Sequence, residues 1–273
     1  MANISAADVN KLRQMTGVGM MDCKKALVEC DGDFDKAIDF LRQKGQKLAA
    51  KRAERDANEG VVLAKTNGSF GAVVMVNCET DFVANNADFV AFTQSILDNA
   101  VANRFTAKED VLEMAIDGRK VADLLTDQIA KIGEKIDLAH YEAIEGVEVS
   151  AYIHPGNRMA SVVALSKEGF QEIGHNLAMQ VVAMRPVALD ETSVSPEVIE
   201  KELEVYRAQI REEGKPENMV ENIAKGKLNK FFKENTLLSQ ESITEAKTSV
   251  KDFVAKADKD LKVLGFKRLE LGA

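Results

Sequence analysis

The chain has 273 residues, 45% of them hydrophobic, which suffices for one large domain or two to three small ones. Its net charge of −8 argues against tight binding to bare nucleic acid, which needs clustered Lys and Arg to displace counterions. No apolar run approaches the roughly 18 residues of a membrane span and no signal-type start is present, so the expectation is a soluble, unexported, cytoplasmic protein with no membrane contact.

Three cysteines, Cys23, Cys30 and Cys78, are scattered and form no CxxC pair, so neither a disulfide framework nor a zinc site is expected, and a reducing compartment fits. Residues 1–45 read as three short helices. Ser5, with Asp8 three residues on, caps the first, whose inner face holds Val9 and Leu12. A Gly-rich turn runs from Thr16 to Met21, Asp22 is expected to cap the second helix, and Asp31-Gly32 makes another turn. Phe34, Ala37, Ile38 and Leu41 form a helical stripe that Gly45 is expected to stop. This predicts a three-helix module of the ubiquitin-associated type. Residues 46–58 are expected to be a linker. Lys44, Lys47, Lys51, Arg52 and Arg55 read as solvated charges rather than as an RNA-binding patch.

From Glu59 a repeat begins. One copy starts at Glu59-Gly60-Val61-Val62, turns at Asn67-Gly68 and continues from Gly71 to Cys78. The other starts at Glu145-Gly146-Val147, turns at Pro155-Gly156 and continues from Met159 to Ser166. Each then enters an amphipathic helix, carrying Phe89, Phe92, Ile96 and Leu97 in one copy and Ile173, Leu177, Val181 and Met184 in the other. Closing strands are predicted at 135–141 and 265–271. The turns are 88 residues apart and the helices 82, so the first copy is expected to carry six extra residues within Glu79–Asp88. A loop lengthened in one copy, with Phe82 and Val83 among polar residues, is a candidate for function.

Residues 195–235 interrupt the second copy. Pro196 begins a helix with Ile199, Leu203, Tyr206 and Ile210, Gly214-Lys215-Pro216 breaks it, and a second helix carries Met219, Val220, Ile223, Leu228, Phe231 and Phe232. An antiparallel helical hairpin with coiled-coil-like packing follows, offering a surface for a partner or for self-association into a homodimer or a 2:2 complex. The fold class is therefore α+β: a core of two related halves with small antiparallel sheets, at 59–144 and at 145–194 with 236–273, plus the module and the inserted hairpin. There is no P-loop, no Rossmann fingerprint, no HExxH and no GxSxG. A Cys78–His154 hydrolase is the one nucleophilic alternative left open.

Four stretches resemble one family: Leu12-Arg-Gln-Met-Thr-Gly-Val-Gly-Met-Met-Asp-Cys-Lys-Lys-Ala-Leu27, Val76-Asn-Cys-Glu-Thr-Asp-Phe-Val-Ala84, Lys131-Ile-Gly-Glu134, and Ala178-Met-Gln-Val-Val-Ala183 before Pro186. They look like the elongation factor Ts family, over essentially the whole chain. The resemblance implies a guanine-nucleotide exchange factor, not an enzyme. It implies binding of elongation factor Tu in its GDP-bound and nucleotide-free states, and no cofactor or metal of its own. It points to Thr80, Asp81, Phe82 and Val83 as the loop that disturbs the partner's magnesium site. Arg13, Met20 and Met21 match contacts to the nucleotide-binding domain, Ile132 and Gly133 a further contact near it, and His154 a contact to a more distant domain. From the residues alone, Met20 and Met21 could equally be core, Ile132 a buried helix end and His154 an ordinary turn residue. Relative to longer members, the chain stops at Ala273 without an extra C-terminal helical module. The rival to exchange is a non-catalytic adaptor that uses the helical module to capture other small domains.

Overall fold

The computed structural model describes residues 4–272; residues 1–3 and Ala273, which the expected domain boundaries include, lie outside the described residues. Three helices open the chain: α1 (Ala6–Thr16), α2 (Met20–Glu29) and α3 (Phe34–Arg52). The Ser5 hydroxyl accepts from the Asp8 N–H and the Asp8 carboxylate accepts from the Ser5 N–H, a reciprocal cap. Leu12, Cys23, Ala26, Leu27, Ala37 and Leu41 close a small core between the helices. Asp22 does not cap α2. The helix starts three residues earlier with Gly19 as its cap, and Asp22 pairs with Lys44 of α3 instead.

Gly45 does not stop α3, and 46–52, expected as linker, continues the helix. Gly45 is buried where α3 crosses a later helix: a Cβ there would stand 3.0 Å from the Ala130 Cβ and 3.4 Å from the Thr126 carbonyl oxygen. The glycine permits a close approach of two helices, so a helix-stop signal was the wrong reading of it.

The first half of the core comprises β1 (Glu59–Asn67), β2 (Phe70–Cys78), the single-turn α4 (Asp81–Ala84), α5 (Ala87–Ala102), α6 (Lys108–Glu113), a two-residue ribbon β3 (Ala115–Ile116) and β4 (Arg119–Lys120), α7 (Val121–Ile132) and β5 (Asp137–Glu145). The second half comprises β6 (Glu148–Ile153), β7 (Met159–Leu165), α8 (Gln171–Met184), α9 (Pro196–Glu212), α10 (Glu217–Asn235), α11 (Val250–Ala257) and β8 (Val263–Glu270). The strand orders are β1-β2-β5 and β6-β7-β8, all antiparallel. Each middle strand breaks register against its closing strand near its far end, at Met75/Val76 and at Ala164/Leu165. Shared order and shared irregularity mark the two halves as copies of one unit. The closing strands lie at 137–145 and 263–270, shifted from the predicted ranges.

The period of two in β1 explains the layering. Val61 and Leu63 face α5 and α7, packing with Phe89, Ile96, Leu97, Leu125 and Ile129. Val62 and Ala64 face the second sheet, packing with Val149, Ala160, Val162 and Ala164. On the far side, Val163 and Leu165 meet Leu177 and Val181 of α8 and Val250 and Val254 of α11. The result is helices, sheet, sheet, helices. Because both faces are covered, Phe70–Val76 is buried without interruption, which hides the alternation in the sequence. Met184, expected on the inner face of α8, is exposed at its end.

The hairpin α9–α10 is antiparallel about a seam of Ile210, Val220 and Ala224, flanked by Leu203, Tyr206 and Ile223. Arg207 holds Glu221 across it and Glu200 on its own helix. Its base is fixed by a buried amide pair. The Gln180 amide donates to the Gln240 side-chain oxygen and accepts from the Ile243 N–H, while the Gln240 amide donates to the Met184 and Glu234 carbonyls. No helix among the described residues is long and apolar enough to cross a membrane.

Gly45→Leu should force α3 from α7, an overpacking cost of about 1–3 kcal/mol. It should expose the stretch after Arg52 to trypsin under native conditions while the sheets stay folded. Limited proteolysis read by mass spectrometry checks this, and a wild-type cleavage pattern would refute the role given to Gly45.

Candidate functional site

The connection from β2 to α5 holds eight residues, 79–86, against five between β7 and α8. The excess is therefore three residues rather than the six expected from the turns. The rest lies in the flanking elements: β2 has nine residues against seven in β7, and α5 and α8 begin 84 positions apart rather than 82. Within the loop Thr80 caps α4, its hydroxyl accepting from the Val83 N–H at 3.4 Å. Asn85 closes the turn on the Asp81 carbonyl at 2.9 Å. Val83 packs against the core, whereas Phe82 is 86% exposed and Asp81 is also exposed. An aromatic ring left this bare on an ordered turn has no packing role within the chain.

Two glutamates fix the turn from below. The Glu134 carboxylate accepts from the Glu79 N–H and the Thr80 N–H, both at 3.0 Å, and from the Thr80 hydroxyl at 2.7 Å. In return the Glu79 carboxylate accepts from the Lys135 N–H at 2.6 Å, from Arg52 at 2.7 Å and from Arg55 at 3.0 Å. The Lys135 ammonium donates to the Ala53 and Arg55 carbonyls. Arg52 and Arg55, read from the sequence as solvated, are thus structural, and the Arg52 side chain is only 21% exposed. The Lys135 N–H, followed by Arg52 and Arg55, holds the Glu79 carboxyl at about 2, well below its ordinary 4.5.

The other sequence-derived residues gather at the same end. Gly133 ends α7 with φ +85°, a left-handed turn that favours glycine. It leaves Ile132 half-buried against the core and aims Glu134 back at the loop. The α1–α2 turn lies beside it, with Gly17 against the Lys131 side chain, and Lys131 reaches Asp88 at 3.8 Å. From that turn Met20 (50%) and Met21 (75%) project outward, and Arg13 is exposed, so none of the three is core. The His154 turn packs on β1. Val62 donates to the Asn157 carbonyl at 2.7 Å, and Arg158 pairs with Glu59, whose strand partner is Cys78. His154 is exposed, its Nδ1 3.2 Å from the Tyr152 hydroxyl.

Cys78 is buried, its thiol donating to the Thr80 carbonyl at 3.2 Å, and burial pushes it up to about 12. A thiol so placed is a core residue and not a nucleophile. Sequence reasoning missed Glu79, Glu134, Arg52 and Arg55. The local signal was thin: two glutamates inside the stretches that carry the resemblance, and two basic residues at and just beyond the end of a helix that was taken to stop earlier.

Comparison with known proteins fits this arrangement. The family model described as Elongation factor TS matches residues 79–273. A protein of Christiangramia forsetii named Elongation factor Ts is 49% identical over 276 residues, covering 100% of both chains. Its namesake in Flavobacterium psychrophilum is also 49% identical over 276 residues with 100% coverage of both. Another, from Porphyromonas gingivalis, is 45% identical over 271 residues, covering 99% of each chain.

The Glu79 ion pairs make stability pH-dependent with a defined sign. A carboxyl depressed in the folded state stabilises fully above its unfolded value of 4.5 and loses that contribution as pH falls toward about 2. Glu79→Gln should therefore be less stable than wild type at neutral pH, and the gap should close through that window. Denaturant unfolding of both chains checks it; a gap that stays constant with pH would show the ion pairs contribute nothing.

Proposed function

The chain belongs to the elongation factor Ts family, and on that premise we propose that it is the guanine-nucleotide exchange factor of elongation factor Tu, binding the GDP-bound partner and expelling GDP by inserting the 80–83 turn. An exchange factor must bind the nucleotide-free partner more tightly than the GDP-bound one, because only differential affinity shifts an equilibrium. The observation that carries this reading is Phe82, an exposed ring on a turn held by three hydrogen bonds to Glu134 and closed by two more, from the Val83 N–H to Thr80 and from the Asn85 amide to Asp81. Burying one Phe side chain is worth roughly 1.5–3 kcal/mol, so the ring acts together with a broader docking surface.

Arg13, Met20 and Met21, with Ile132 and Gly133, supply that surface toward the nucleotide-binding domain, and His154 reaches a more distant domain. Asp81 brings a negative charge to a site that holds magnesium and phosphates, where it competes for the groups that organise the metal. The chain performs no covalent chemistry of its own, a reading supported by the burial of Cys78. It works in the cytoplasm without contacting nucleic acid directly. The exposed Val198, Val205 and Met219 of the hairpin support self-association of the complex through that element.

Phe82→Ala should weaken the complex and slow GDP release together, at about 2 kcal/mol or more, some thirtyfold in affinity. Asp81→Asn should slow release with a smaller loss of affinity for the nucleotide-free partner, and its defect should respond to magnesium. Both should melt like wild type, since both side chains are exposed. Stopped-flow release of labelled GDP at several magnesium concentrations is the measurement. Wild-type release by both variants would overturn the wedge.

A further inference from the structure

The 80–83 turn cannot hold itself. A four-residue helix fixes several backbone dihedrals for one or two internal hydrogen bonds, which is the unfavourable nucleation step without the propagation that follows it. Val83 and Ala84 pack on the core, but Asp81 and Phe82 are exposed. Their order comes from Glu134. One carboxylate oxygen takes both N–H groups that lead out of β2, and the other takes the Thr80 hydroxyl, which in turn receives the Val83 N–H. Among the described residues Glu134 makes no ion pair. Every strong partner it has belongs to the loop, and charge-assisted bonds of this kind are about twice as strong as neutral ones. Glu134 itself is aimed by the left-handed Gly133 at the end of α7.

We propose that Glu134 is the positioning residue of the exchange turn: it sets the cap at Thr80 and thereby the direction in which Asp81 and Phe82 project, without touching the partner. This rests on the wedge reading above. A turn ordered before docking loses no conformational entropy on insertion, so Glu134 governs how often a bound complex proceeds to release rather than how tightly the two proteins first associate. Glu79 plays a different part. Its carboxylate ties the base of the loop to Lys135 and to Arg52 and Arg55 after the N-terminal module, and leaves the turn itself untouched.

The test compares Glu134→Ala, Glu134→Gln and Phe82→Ala, singly and with Phe82→Ala combined with each Glu134 variant. GDP release is followed against concentration of the chain, and amide hydrogen exchange is followed in the free proteins. Glu134→Ala should lower the maximal release rate roughly tenfold with a much smaller change in half-saturating concentration. Glu134→Gln, which keeps one acceptor oxygen for the two N–H groups, should fall between it and wild type. In the Phe82→Ala background either change should add little, because residues acting through one group are not additive. In the free protein the amides of Glu79, Thr80 and Val83 should lose protection while those of β2 and α5 keep theirs. A wild-type rate for Glu134→Ala beside a slow Phe82→Ala overturns the proposal and leaves the wedge standing. An undiminished Glu134 effect in the Phe82→Ala background also overturns it, because Glu134 would then act by another route. Should Phe82→Ala release GDP normally, the wedge reading fails, and the amide protection decides this proposal alone: unchanged protection overturns it. If Glu134→Ala does not fold, Glu134→Gln carries the same comparisons.

Discussion

Two carboxylates traded between two connections organise the end of the molecule that carries Phe82. Glu134, after α7, accepts from the backbone at the exit of β2, and Glu79, at that exit, accepts from the backbone at the entry to β5. Each anion sits on N–H groups that the ends of regular elements leave without partners, and each thereby satisfies groups whose burial would otherwise cost stability. Because Glu79 also binds Arg52 and Arg55, the same exchange reaches the end of α3. The exposed turn, the Ile132–Gly133 corner and the junction with the N-terminal helices are held in one arrangement by a few charge-assisted bonds.

That arrangement needs a scaffold that does not give. Two three-stranded sheets packed face to face, each backed by helices, supply it: the first sheet is covered on both faces, so β2 cannot slip register without moving apolar side chains on both sides. The strand that ends in Cys78 is buried at eight of its nine positions, and Phe82 lies four positions beyond it. A bare aromatic ring on a mobile loop would have to be ordered at each encounter; on this frame it is ordered in advance. The second half repeats the same unit with a shorter connection and no such ring, which separates what the shared fold requires from what one copy adds.

The hairpin is held differently. Its base rests on the Gln180 and Gln240 amides, both buried and with their donors and acceptors met, whereas its shaft has only a thin seam about Ile210, Val220 and Ala224. A narrow two-helix shaft cannot cover all its apolar side chains, and Val198, Val205 and Met219 stay exposed. A rigid root under a sparsely packed shaft suits an arm that extends a surface without altering the core from which it springs.

Much of this was legible in the sequence because it is local. The period of 3.6 marks α3, α5 and α9, the period of two with glycine turns marks the repeated strands, and the one ring in a polar stretch marks Phe82. Whether Met20 and Met21 point in or out was not legible, since both faces of a short helix can carry methionine. Only the tertiary structure decided it, along with the role of Gly45, which looks like a helix stop until Ala130 is brought against it. The pairing of Glu79 with Lys135 and of Glu134 with Thr80 was also out of reach, because these residues lie more than 50 positions apart and nothing in either neighbourhood names the other. Side-chain period is written by neighbours a few residues away. Which unpaired N–H a carboxylate will meet is written only when the sheets and helices have packed.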